Sequence, residues 1–281
     1  QLEIIRIRAY THNSRVAERF VQGRVALIGD AAHITPPWAG QGLNSGLRDV
    51  VNVCWKVAAI VKGQASAAIL ASYDVERRGH ATDLIALADN MGAILGMTSP
   101  LLAGVRDWVF QAVDTVENLR SHLLEFKFKP KATLVKGLIH REWPDVRDDD
   151  VVGQLFIQPF VEDGHGKRMR FDDVLGDFYA IVGFRTNPKA GLSDDEIRHW
   201  EDIGARFIQV NRSRSGSGRL QPLVTPGVIS VEDADNKLEG WFTRARAHVA
   251  IVRPDRFVAA ISSTDRAAET LGKLARQLQG H

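Results

Sequence analysis

Cysteine is nearly missing from this chain. Cys54 stands alone among 281 residues, which excludes an internal disulfide framework and fits a reducing, cytoplasmic setting. Residues 151–281 contain no cysteine at all, so thiol–disulfide chemistry, which needs a Cys-x-x-Cys pair, is excluded there. Charge of one sign is missing too. Lys+Arg 36 against Asp+Glu 34 leaves a net charge of +2, and no strong field marks nucleic acid or an anionic membrane as a partner. No apolar run approaches the roughly 20 residues of a membrane span, and no secretory signal is visible. Also missing are a Gly-x-Gly-x-x-Gly dinucleotide fingerprint and a nucleophile-elbow serine. His80 and Asp83, spaced i, i+3, are two ligands and not a metal site. The chain opens on Gln1 instead of Met, and "LEIIRIRAYT" reads as a strand in mid-fold, so the expectation is the C-terminal part of a longer protein.

What is present is a hydrophobic content of 44%, enough for a real core in one or two domains. Leu2 to Tyr10 alternates apolar and charged residues and predicts a half-buried strand. "RVALIGD" predicts a short strand buried on both faces. From Leu43 to Val61 apolar residues recur at helical spacing (Leu43, Leu47, Val50, Val51, Trp55, Ala58, Ala59) until Gly63. A second helix is expected from about Ser66 through "YDVERRGHATDLIALADNMGAIL", and a third from Ser99 to Leu124. Glu125 to Asp150 is charged, Pro-containing and weakly periodic, as in a domain connection. Beyond it, strands are expected at Phe178–Phe184 and Phe207–Val210, with helices at Asp194–Ile203 (capped by Ser193) and Leu238–Ala247. "HVAIVRP" and "RFVAAIS" form two strands across an "RPDR" turn, and Thr264–Leu278 is a closing helix. Asn211 to Gly227 is a loop. The order βαβ then ββα is that of a thioredoxin-like domain, and no internal repeat is found. The expected division is 1–125, 126–165 as linker, and 166–281.

The stretch "GDAAHITPPWAGQG", Gly29 to Gly42, carries the chemistry. A strand delivers Gly29 and Asp30 to a sheet edge, where open α/β folds place ligands. An ionised Asp30 only accepts hydrogen bonds, which suits ribose or ribityl hydroxyls better than phosphate. Pro36 and Pro37 hold the chain extended and leave carbonyls outside any ladder. Gly40 and Gly42 let backbone approach a flat ligand. The helix starting near Leu43 aims free N–H groups and the positive end of its dipole at that ligand. Together these describe a flavin cradle. Trp38 fits equally a pocket wall or a packed aromatic. "ERRGH" (Glu76 to His80) reads as a solvated or interdomain helix face, and "RPDR" as a charged hairpin turn.

The string "RVALIGDAAHITPPWAGQGLNSGLRDVVNVCWKVAAIVKG", followed by "YDVERR", resembles the second flavin motif of the group A FAD-dependent aromatic hydroxylases, the p-hydroxybenzoate hydroxylase-like family. "YTHNSRVAERF", "LFIQP", "ARFIQV" and "RPDRFVAA" extend that resemblance from Tyr10 to Ala260. It implies an α/β fold: the C-terminal part of an FAD-binding domain, mainly helical here, followed by a thioredoxin-like α/β domain without redox cysteines. It implies FAD on Gly29, Asp30, Ala31, Ala32, His33, Pro37, Gly40, Gln41, Gly42, Leu43 and Asn44, with the Asp30 carboxylate on the ribityl chain and Gly40 to Asn44 along the ring.

The implied reaction uses NADH or NADPH and dioxygen to hydroxylate the ring of a phenolic acid of the 3-(3-hydroxyphenyl)propionate type to the catechol. The family's first fingerprint and its short Asp-Gly motif are not in these residues. The expectation is therefore that this chain alone binds FAD weakly or not at all, and no catalytic base is named within it. Two other readings stay open: a non-catalytic interaction module that forms a homodimer through the thioredoxin-like part, and a flavin monooxygenase of another substrate class.

Overall fold

The computed structural model describes residues 3–124, 130–141, 150–212 and 225–280. They form two compact units that interleave along the chain: Gln1–Val51 with Tyr73–Lys131, and Asn52–Ser72 with Ala132–His281.

In the first unit, two short antiparallel pairs precede the helices. β1 (Arg15–Val16) pairs with β4 (His33–Ile34), and β2 (Val21–Gln22) with β3 (Val25–Ala26). Between β3 and β4 the chain makes one tight turn at Gly29–Ala31. α1 (Gly42–Val61) follows, then α2 (Ala71–Leu95), α3 (Pro100–Asp114) and α4 (Glu117–Leu124). Two expectations fail here. Glu3–Tyr10 is exposed and forms no strand, and "RVALIGD" supplies only the two residues of β3, with Val25 64% exposed. Alternation and apolar runs report residues that favour pairing; among the described residues Glu3–Tyr10 has no partner strand, and β3 has only the two-residue β2 beside it. The third expected helix is real but breaks at Thr115–Val116.

The second unit is built on a seven-stranded sheet in the order β11-β10-β7-β8-β9-β5-β6. Its strands are β5 (Phe160–Glu162), β6 (Arg168–Arg170), β7 (Ala180–Phe184), β8 (Arg206–Arg212), β9 (Val228–Asp233), β10 (Val249–Val252) and β11 (Val258–Ser262). β7, β8 and β9 run parallel, while β10 lies antiparallel on the other side of β7. The sheet alternates as a pleat requires. Ala180, Val182 and Phe184 face one core with α5 (Phe171–Leu175) and α7 (Lys237–Ala245). Ile181 faces the other, with α6 (Asp194–Asp202), α8 (Ala267–Leu278) and the helical residues Trp55, Ala59 and Ile69. α6 starts as anticipated, with Ser193 and Glu196 in a reciprocal capping box. The βαβ–ββα order is present, with β5, β6, β9 and α5 added to what the sequence reading anticipated.

Residues 52–72 belong to this second unit, a crossing that a simple split near residue 126 does not foresee. Part of the anticipated connection also packs here. Leu134, Leu138 and Ile139 are buried, and the Leu134 N–H donates to the Gly153 carbonyl at 2.8 Å. Residues 125–129 and 142–149 of that connection, and 213–224 of the Asn211–Gly227 loop, lie outside the described residues. The "RPDR" turn joins β10 to β11 as the expected charged hairpin turn, with Arg253 and Asp255 turned into the protein. Arg253 is fully buried and forms a bidentate pair with Asp255, at 2.9 and 2.7 Å. Asp255 also accepts from Asn52 Nδ2 and Trp55 Nε1, both at 3.2 Å. A buried charge persists only when paired and hydrogen-bonded in this way.

Candidate functional site

The Gly29–Gly42 segment is held from behind by a carboxylate that the sequence reading did not single out. Asp49, about two turns into α1, is fully buried. Its Oδ2 accepts from His33 Nε2 at 2.8 Å and from the Gly29 N–H at 3.1 Å, and its Oδ1 accepts from Arg77 Nε at 2.9 Å. Arg77 reaches on to the Ser45 carbonyl (3.4 Å) and hydroxyl (3.3 Å). Burial alone would raise the Asp49 pKa; the bonds from His33 and Arg77 outweigh it and hold the carboxyl below its ordinary value. The same charge, added to burial, pushes the Tyr73 hydroxyl up, and that hydroxyl donates to the Leu27 carbonyl at 2.8 Å. Three elements thus converge on one buried anion.

This hub corrects two readings. "ERRGH" is not a solvated face, because Glu76 and Arg77 are 6% and 4% exposed. Along α1 the buried positions of the front half are polar (Ser45, Asp49, Asn52), whereas Leu43, Leu47, Val50 and Val51 are exposed. Apolar periodicity identified the helix and its buried Trp55 and Ala59, but named the wrong inner face over the front half. The spacing Ser45, Asp49, Asn52, Lys56 is itself helical and was the available signal.

With its rear fixed, the loop sorts its residues in two. Ala32 and His33 are buried; the Ala32 carbonyl accepts from the Ala17 N–H at 2.8 Å, and His33 serves Asp49. Gln41 is also buried and donates to the Ala39 carbonyl at 3.2 Å, so it shapes its own turn. Asp30, Ala31, Pro37, Gly40, Leu43 and Asn44 are exposed. Asp30 has no hydrogen-bond or ion-pair partner among the described residues. Gly29 and Gly40 take left-handed φ of +55° and +58°, where a side chain is strained. A Cβ on Gly46 would stand 3.4 Å from the Gly29 Cα, so loop and helix approach through two bare backbones. Pro37 opens a single tight turn that ends at Gly40, and α1 begins at Gly42, leaving its first N–H groups outside the helical ladder. Trp38 packs its indole edge over Gly92 of α2, while 44% of it remains exposed.

An exposed acid without a protein partner, glycines stripped of side chains and a free helix start fit the ribityl and ring portions of a flavin. The donor set suits that group: an acceptor for hydroxyls, and N–H donors for an electron-rich edge. Among the described residues no group of three or more His, Cys, Asp or Glu could hold a metal ion, and no single helix is long and apolar enough to cross a membrane.

Residues 1–88 match the family described as FAD binding domain, and residues 153–277 the HcaD C-terminal domain. The chain is thus similar over most of its length to part of known aromatic hydroxylases, and its first 88 residues match an FAD binding domain. It is similar to 3-(3-hydroxy-phenyl)propionate/3-hydroxycinnamic acid hydroxylase 2 of Burkholderia vietnamiensis, 47% identical over 92% of this chain and 47% of the relative. It is also similar to an Escherichia coli hydroxylase named for the same substrates, at 39% identity over 98% of this chain and 49% of the relative. In fold it resembles the flavin-dependent monooxygenase PieE, solved with FAD and substrate, with a TM-score of 0.63 at 22% identity over 96% of this chain and 50% of that one. The chain spans about half the length of the curated relatives it matches.

Proposed function

We propose that this chain supplies one part of the flavin site of a cytoplasmic monooxygenase that hydroxylates a phenolic acid of the 3-(3-hydroxyphenyl)propionate type to its catechol. Reduced by NADH or NADPH, bound FAD supplies the activation of dioxygen and the transfer of one oxygen atom to the ring. The residues of this chain bind and orient. Asp30 accepts hydrogen bonds from ribityl hydroxyls, at about 1.5–3 kcal/mol for a charge-assisted bond. Gly40, Gln41 and Gly42 present backbone to the ring, and the N–H groups of Leu43 and Asn44 face its electron-rich edge. Gly29, Ala31, Ala32, His33 and Pro37 set the path of the loop, and the buried Asp49 hub fixes its rear. The observation that carries the reading is an exposed Asp30, partnerless among the described residues, on a loop braced by two bonds to Asp49, which Arg77 holds in turn, in a chain 47% identical to a hydroxylase of that substrate class.

The test is a chimera in which residues 1–281 replace the matching segment of the Burkholderia vietnamiensis relative. Catechol formation from 3-(3-hydroxyphenyl)propionate supports the proposal. A flavin-loaded chimera that consumes NADH without hydroxylating this acid would reject the substrate assignment. The proposal includes a homodimer, tested by the mass of the same chimera in solution; a monomer removes it.

A further inference from the structure

The second unit carries a cavity that the flavin reading does not use. It measures about 520 Å³ and is lined by Phe184, Arg185, Arg212, Glu239, Phe242, Thr243, Arg246, Ala247 and His248. Its place in the fold is informative. β7 leads through α6 to β8 and on to β9 on one side, whereas the chain returns through α7 to β10 on the other side of β7. The connections therefore reverse direction at β7. Arg185 directly follows the carboxyl end of β7, and Arg212 is the last residue of the parallel strand β8. Open α/β sheets bind ligands outside the carboxyl ends of their strands at such a reversal.

The chemistry of the lining is cationic. Arg212 is taken by Glu239, with Nε 2.7 Å from Oε1. Neither Arg185 nor Arg246 has a side-chain hydrogen bond or ion pair among the described residues. Both have left-handed backbone, φ 56° and 53°. Glycine meets that geometry at lower cost, so an arginine at each position adds strain along with its guanidinium. Arg256, also left-handed, shows the contrasting case: its guanidinium is used internally, on the Gly176 carbonyl at 2.9 Å. The cavity floor is apolar. Phe184 and Phe242 stack at 5.3 Å with an interplanar angle of 15°, beside Ala247.

We propose that this cavity binds a small organic anion, a carboxylate carried on an apolar body, with Arg185 and Arg246 as the carboxylate ligands. The guanidinium groups match a carboxylate in shape and charge, and the phenylalanine floor receives the body. Arg212 stays with Glu239 and shapes the wall. The thioredoxin-like unit is then a binding module whose ligand is an anion instead of a thiol.

The test titrates the full 281-residue chain with 3-phenylpropanoate, followed by calorimetry and by amide chemical shifts. The expected result is saturable binding in the roughly millimolar range, weakened about tenfold or more in Arg185→Asn/Arg246→Asn. Asparagine tolerates left-handed backbone, so the charge is removed without new strain. Acetate, which has the carboxylate without the body, should bind about tenfold more weakly. Shifts in the unsubstituted chain should gather at Arg185 and Arg246 to His248, a readout independent of the variant's folding. Asp30→Ala should leave this binding unchanged, which separates it from the flavin site. No saturable binding, equal affinity in the double variant, acetate binding as tightly, or shifts confined elsewhere would each overturn the proposal.

Discussion

Replacing Asp49 by asparagine keeps the shape of the hub and removes its charge. The consequences follow from the geometry. Asp49 is fully buried and accepts from three donors, His33 Nε2, Arg77 Nε and the Gly29 N–H. An asparagine has one acceptor oxygen and one NH₂ group. Whichever way it turns, its NH₂ faces at least one donor. Arg77, 4% exposed, is left as a buried cation that has lost its carboxylate partner. Breaking a buried pair in this way costs about 3–5 kcal/mol, a large share of the roughly 5–15 kcal/mol that holds a domain together. Urea denaturation followed by far-ultraviolet circular dichroism measures the loss. Because the cost comes mainly from the stranded partner, Asp49→Leu/Arg77→Met should recover about 1–3 kcal/mol relative to Asp49→Asn. A loss below about 1 kcal/mol for Asp49→Asn, or strict additivity of the single effects, refutes the hub as the brace of the loop.

Three further outcomes are expected. His80 lies among Arg77 and Arg48, and burial first, then those charges, lowers its pKa to about 4. A histidine whose folded pKa is lowered makes stability fall as pH drops from its unfolded value, about 6.5, towards the folded one. The full linkage is discounted for partial exposure to about 1–3 kcal/mol. His80→Leu should flatten the pH 4 to 6.5 limb of the thermal-melting profile; an unchanged limb contradicts this. Asp255→Ala strands the fully buried Arg253 and should cost the second unit about 3–5 kcal/mol in chemical denaturation; a loss within about 0.5 kcal/mol speaks against a paired buried charge. Gly153→Ala places a Cβ 2.0 Å from the Leu134 carbonyl oxygen at φ +79°. It should lower the melting midpoint through loss of at least about 2 kcal/mol, and a neutral effect would mean that the 134–153 packing is absent in solution.

The second unit was legible because its strands and helices alternate at distinct periods and its boundaries carry their own chemistry, such as the Ser193–Glu196 box. β5, β6 and β9 were missed: β5 and β6 are three residues each, and β9 mixes acids with valines. The first unit was harder to read. Its buried residues include the charges of Asp49, Glu76 and Arg77, and Asp49 with Arg77 looks in sequence like any solvated pair. Leu43, Leu47 and Val51 announce an inner face yet are 78%, 54% and 55% exposed. Periodicity records which residues favour burial and carries no information about what covers them. The loop itself was legible as a ligand cradle because Asp, Gly and Pro in that order have few packing roles. That His33 and Gln41 serve the loop internally needed coordinates.

The account rests most directly on Asp30. The decisive measurement is the flavin content, by visible absorbance, of the chimera carrying residues 1–281, purified in parallel with its Asp30→Ala form. Loss of a charge-assisted bond predicts an FAD affinity roughly 10–150-fold weaker, so the variant should emerge largely colourless. Equal flavin content in the two proteins would contradict the assignment of Asp30 to the ribityl chain.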